Sequence, residues 1–153
     1  MAAFERDGIS FDPPDGWREM SITSLTKAPS PGTPEACTFI VSNEPLGPNE
    51  SLRAHVQKKL LTVSKALPKF EYGDTLDGEL GGRPSIVMRY AWENEATRVL
   101  QTLIAVELVT RSGRAALVIS TTSSEADDVA HRQAFDEMIA SFRFPSEADG
   151  SRP

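Results

Sequence analysis

The sequence predicts an α+β domain: a mostly antiparallel sheet of about six to seven strands with two main helices packed on it. Three observations lead there. Short segments that alternate apolar and polar residues, or are rich in β-branched and aromatic ones, recur along the chain. Two longer segments carry a helical period instead. The strands after the first helix are joined by connections so short that they must be hairpins.

Gly8-Ile9-Ser10-Phe11-Asp12 alternates and reads as the first strand, closed by the turn Pro13-Pro14-Asp15-Gly16. Trp17 follows as an expected core anchor. Met20 to Lys27, with Ile22 and Leu25 apolar, reads as the second strand, and the proline-rich stretch Ala28 to Pro34 as a loop. Cys37 to Ser42 is β-rich and reads as the third strand, ended by Pro45, Gly47 and Pro48.

The clearest helix spans about Glu50 to Leu67, with Asn49 or Ser51 as its cap and Pro68 as its stop. Leu52, Val56, Leu60, Val63 and Leu67 fall within an arc of roughly 80° at the helical period of about 100° per residue. Phe70 to Glu79 is the fourth strand, Pro84 to Glu93 the fifth, Thr97 to Val109 the sixth and Ala115 to Thr122 the seventh. The last three should form an antiparallel meander. A second helix runs from about Glu125 to Phe142, with Ser124 and Asp127 in capping-box positions. Its inner stripe reads Val129, Arg132, Phe135, Met138, Ile139 and Phe142, with Arg132 the exception. Residues 1–145 are expected to form one domain, and 146–153 a disordered polar tail.

The chain has 153 residues, 39% hydrophobic and 25% charged, which suits a globular domain. Its net charge of −6 and pI near 4.9 argue against nucleic acid or an anionic membrane as the main partner. No signal peptide, membrane-length apolar run or lipidation cysteine is visible, so a cytoplasmic location is expected. Cys37 is the single cysteine, which excludes an internal disulfide.

The usual chemistry-bearing patterns are missing. His55 and His131 lie on polar-leaning helix sides, without HxH, HExxH or CxxC spacing, and read as solvated residues rather than metal ligands. Asp127-Asp128 suits a helix N-terminus. Lys58-Lys59 reads as a solvated face, and Gly81-Gly82-Arg83 as a hairpin turn. No nucleophile elbow occurs. These residues predict no catalytic site, no metal and no cofactor; a non-enzymatic binder is expected.

Two features fit a plain surface less well. In the sixth strand one face carries Leu100, Thr102, Ile104, Val106 and Leu108, as a helix-covered core should. The other carries Val99, Gln101, Leu103 and Ala105, too apolar for a face in water. That second face is either covered by protein or open to a partner. On the first helix, Ala54, Gln57 and Leu61 lie within about 60° of one another, roughly opposite the core stripe. They form either a contact surface or ordinary surface scatter.

Four short motifs resemble DcrB-related proteins, in order over about residues 4–145: Pro14-Asp15-Gly16-Trp17, Ser42-Asn43-Glu44-Pro45-Leu46, Arg89-Tyr90-Ala91-Trp92 and Ser141-Phe142-Arg143. The chain is similar to the branch containing the Eag chaperones of type VI secretion. The resemblance implies a PsbP-like fold and a homodimer. It implies a partner too, a secreted effector whose N-terminal hydrophobic helices are shielded until it is loaded on the secretion spike. Neither direct membrane insertion nor nucleic-acid binding is implied.

By the same resemblance, Gln57 and Gln101 correspond to client-contacting glutamines, with Ile22, Leu61 and Val99 as apolar neighbours. The two glutamines are then expected on one surface or across a dimer groove. Lys65 stands where the family often keeps an apolar residue. An apolar groove removes a client helix of about 20 residues from water at roughly 25 cal/mol per Å². Amides satisfy polar groups on its packing faces without burying a charge. The alternative is another non-enzymatic binding or assembly module on the same PsbP-like fold.

Overall fold

The structure, a computed structural model, describes residues 4–6, 9–11, 22–26, 38–110 and 113–144. Trp17, Cys37, the turn at 13–16, the loop at 28–34, Arg111-Ser112 and the tail at 146–153 lie outside the described residues.

The elements run β1 (Phe4–Arg6), β2 (Ile9–Phe11), β3 (Ile22–Thr26), β4 (Thr38–Pro45), α1 (Leu52–Ala66), β5 (Glu71–Leu80), β6 (Arg83–Asn94), β7 (Thr97–Thr110), β8 (Gly113–Ser124) and α2 (Asp128–Ala140). The main sheet has six strands in the order β3-β4-β8-β7-β6-β5, and every described pairing within it is antiparallel. The segment expected as the first strand is not among them. Its Ile9–Phe11 pairs with β1, which the sequence reading missed, in a separate hairpin.

Local chemistry sets the boundaries. Ser51 caps α1, its hydroxyl accepting from the Ala54 amide at 3.1 Å. The helix stops before Pro68, which cannot continue it. The Gly81–Gly82 turn joins β5 to β6 with φ of 56° and 83°, a region side chains avoid. Ser124 accepts from the Asp127 amide at 3.3 Å and opens a 3-10 turn at Glu125–Asp127 that leads into α2.

The helices lie on opposite faces of the sheet. On one face Val56 packs in a core with Ile86, Met88, Leu103, Ala105 and Val118, flanked by Leu52, Leu60 and Val63. On the other, Phe135 packs with Phe39, Leu80, Ile104, Val106 and Ile119, flanked by Met138 and Ile139. Each face of β7 thus has its own helix: α2 faces Ile104 and Val106, and α1 covers Leu103 and Ala105. That accounts for the apolar second face of this strand over half its length.

Three expectations are corrected. Val129 is 87% exposed and not part of the inner stripe of α2. Within α2, at about 100° per residue, Val129 stands roughly 120° around the axis from Phe135, which is buried in the core. His55 and Lys59 are not on a solvated face. They point at Glu44 in β4, because α1 lies close along that strand. His131 is likewise engaged, its Nδ1 lying 2.8 Å from Ser123 Oγ.

Candidate functional site

Among the described residues, the α1-bearing face of the sheet is only partly roofed. Pairing across the sheet sets Ile22 beside Ser42 and Val118, Ser24 beside Ile40 and Ser120, and Thr38 beside Thr122. Gln101 sits beside Thr122, and Leu103 beside Ser120. Directly paired residues point to the same face, so all these side chains share the face that α1 covers further along. Where the helix is absent the residues become small and hydroxylated. Along this face of β8 the side chains change from Ala116 and Val118 under α1 to Ser120, Thr122 and Ser124.

The patch that no described element covers runs from β3 through β4 and β8 to β7. Those three inter-strand gaps make about 14 Å at roughly 4.8 Å each. An α-helix with side chains is about 10–12 Å across. Ile22 is 59% exposed at the rim, while Ile40, Ser42, Ser120, Thr122 and Gln101 are half-buried in the floor.

Gln101 is held in a fixed orientation. Its Oε1 accepts from Trp92 Nε1 at 3.2 Å, and its Nε2 donates to Ser120 Oγ at 2.8 Å. An indole N–H only donates, so it must face the amide oxygen. Among the described residues, one N–H and one lone pair of the amide have no further partner.

The remaining residues of interest are more scattered. Val99 is buried at 9% exposure at the end of the same row. Leu61 is 56% exposed on α1. Gln57 leans the other way, lining a cavity of about 180 Å³ with Arg53, Leu60, Tyr72, Thr75 and Met88 between α1 and β5–β6. The structure therefore brings Gln101, Val99 and Ile22 to one face of the sheet. It sets Gln57 on the β5 side of α1. Among the described residues no hydrogen bond or cavity joins the two glutamines.

On its β4 side α1 is fastened by charges. Glu44 Oε1 lies 2.7 Å from His55 Nε2, and its Oε2 lies 2.8 Å from Lys59 Nζ. Ser42 Oγ also donates to Oε2, at 3.3 Å. Burial alone raises the Glu44 pKa; hydrogen bonds and positive charge from Lys59 and His55 outweigh it and hold the carboxyl below its ordinary value. Glu50 is held down to about 2 by hydrogen bonds from Lys58 and from the Gly47 amide. Leu46 is buried in the α1-side core. The Ser-x-Glu-Pro-Leu segment thus docks the start of α1 onto the sheet. Sequence reasoning found the motif but not this role.

Among the described residues no cluster of His, Cys, Asp and Glu has a metal-binding arrangement, and no helix is long and apolar enough to cross a membrane.

The family model DcrB matches residues 9–141. The Pseudomonas aeruginosa protein named Effector EagT6 is 23% identical over 133 residues, covering 87% of this chain and 88% of the relative. Among solved structures, the Pseudomonas aeruginosa protein PA94, described as of unknown function, superposes with a TM-score of 0.74 at 20% identity, covering 95% of this chain and 98% of the other. LpqN of Mycobacterium tuberculosis, described as involved in cell envelope biogenesis, gives 0.57 at 15% identity, covering 80% and 82%. At these identities the two structures show a shared fold.

Proposed function

The chain belongs to the DcrB family, and on that premise we propose that it is a non-enzymatic cytoplasmic chaperone for a type VI secretion effector. It binds and shields the effector's N-terminal hydrophobic transmembrane helices and promotes loading on the secretion spike. The observation that carries the reading is a sheet face that no described element roofs: a strip one helix wide, with aliphatic residues at Ile22 and Ile40, hydroxyls at Ser24, Ser42, Ser120 and Thr122, and a fixed amide at Gln101. The likeness to Effector EagT6 supports it.

The chemistry suits an apolar helix taken out of water. Small hydroxylated residues allow close approach of the client backbone, as at helix contacts within membranes. The spare donor and acceptor of Gln101 satisfy a client Ser, Thr or carbonyl without burying a charge. Ile22 and Ile40 supply apolar area, and the buried Val99 backs the strip at its β7 end. Gln57 and Leu61 lie across α1 from this strip, and they meet the same client through a second protomer. The homodimer and the PsbP-like assignment of the fold belong to this proposal.

The test is co-expression with an effector fragment that carries its N-terminal apolar helices. Ile22→Asp, Leu61→Asp and Gln101→Ala are each expected to lower the amount of co-purified fragment, with the circular dichroism spectrum of the free chain retained. Recovery of the fragment at wild-type level with all three variants would refute the reading.

A further inference from the structure

We propose that the α2-bearing side of the sheet holds a second site, for a small neutral molecule with an apolar body and one hydrogen-bonding group. It lies on the face opposite the proposed client strip and does not depend on that reading. The core under α2 is centred on β7, β8 and β4, through Ile104, Ile119 and Phe39. Beside it, between α2 and β5–β6, a cleft of about 500 Å³ remains, within the roughly 300–1,000 Å³ usual for ligand pockets. Val87, Leu100 and Ile104 line it from the sheet, and Phe135 and Ile139 from α2.

Ser85 gives the cleft its specificity. It lines the cleft, is 3% exposed, and its hydroxyl has no hydrogen-bond partner among the described residues. A buried polar group left without a partner is unfavourable, and a ligand that supplies one recovers that loss. Opposite Ser85 in the ladder stands Gly78. A Cβ at Gly78 would lie 3.1 Å from Ser85 Oγ and 3.2 Å from Val87 Cγ2. The missing side chain leaves the space beside the hydroxyl unfilled.

The charges at the mouth select for a neutral ligand. Arg98 is held by Glu71 and Glu125, Arg132 by Asp128, and Arg89 lies 3.9 Å from Asp74. The cations are thus matched within the protein, while Glu79 and Asp136 are exposed to water. Neither a carboxylate nor an ammonium group finds an unmatched buried counter-charge there.

Three probes that differ only in their polar group test this by NMR titration of the full chain: 4-propylphenol, propylbenzene and 4-propylbenzoate. The phenol should shift the amides of Ser85, Val87, Ile104 and Ile139 and bind about three- to tenfold tighter than propylbenzene, the ratio one net hydrogen bond confers. The benzoate should bind more weakly than both. Ser85→Ala should erase the phenol's advantage and leave the propylbenzene affinity unchanged. Gly78→Ala should weaken both. The proposal is overturned if no probe shifts these amides in the wild-type chain, or if the phenol keeps its advantage in Ser85→Ala. A cleft already filled by another part of the chain would give the first of these results.

Discussion

The indole N–H of Trp92 in β6 donates to Gln101 Oε1 in β7 at 3.2 Å and fixes which end of the amide faces Ser120. A preorganised amide binds better than one that must first choose an orientation. Trp92→Phe keeps an aromatic ring but removes this donor. It is expected to raise the dissociation constant of the client complex about three- to tenfold, the worth of roughly one hydrogen bond. Gln101→Ala should do at least as much. Both are checked by titrating a labelled client peptide, with thermal melts of the free chain as control.

What could be read in the sequence follows the range of the interactions involved. Helix α1 was legible because its cap at Ser51, its stop at Pro68 and its stripe from Leu52 to Leu67 are local signals. The meander was legible because, in the sequence, Glu93-Asn94-Glu95 and Arg111-Ser112-Gly113 leave no room for anything but hairpins. The opposite placement of the two helices was not, because alternation in β7 marks two apolar faces without saying which helix covers which. The pairing of Glu44 with Lys59 spans 15 positions and depends on where α1 lies against β4, which periodicity does not encode. Val129 was misplaced because, at about 100° per residue, it lies roughly 120° around α2 from Phe135 and so outside the stripe it was counted into. In the candidate site, Gln101 and Ile22 carried a family signal. Ser24, Ile40, Ser42 and Ser120 did not, since a short polar residue in a strand is ordinary until the sheet order brings several together.

Acid should loosen the start of α1. The Glu44 and Glu50 carboxyls both titrate below their ordinary value of 4.5, Glu50 at about 2. A lowered pKa in the folded state contributes stability that is full above the unfolded value and is lost as pH falls through the folded one. The loss is therefore expected to begin near pH 5 and to continue down to about 2. Glu44→Gln, which keeps the shape but not the charge, should cost about 1–2 kcal/mol at neutral pH. It should also flatten the acid limb of the curve. Urea unfolding of both proteins between pH 7 and 3 measures this.

The register of α2 is open to a direct comparison. Phe135 is buried against Phe39 with ring centroids 6.5 Å apart. Phe135→Ala should cost about 3–5 kcal/mol, as other large core truncations do. Val129→Ser, which the sequence pattern alone would rank as a core substitution, should stay within roughly 0.5 kcal/mol of wild type because the residue stands in solvent. Denaturant midpoints at constant slope distinguish the two outcomes. A large loss for Val129→Ser would mean that the exposed side of α2 is covered.

The width of the open face can be tested by filling it. Ser24 is exposed on β3, beside Ile40 and on the same face as Ser120 and Gln101. A tryptophan there would project an aromatic ring into a strip only about 14 Å wide by strand spacing. A helix of about 10–12 Å then no longer fits beside it. Nothing in the described structure needs the Ser24 hydroxyl. Ser24→Trp should therefore leave the unfolding free energy within about 0.5 kcal/mol of wild type while weakening the client complex more than tenfold. Val129→Trp, on the outer side of α2, adds the same bulk on the opposite side of the molecule and should leave the complex intact. If Ser24→Trp binds the client like wild type, the helix does not lie on this face, whatever part Gln101 plays.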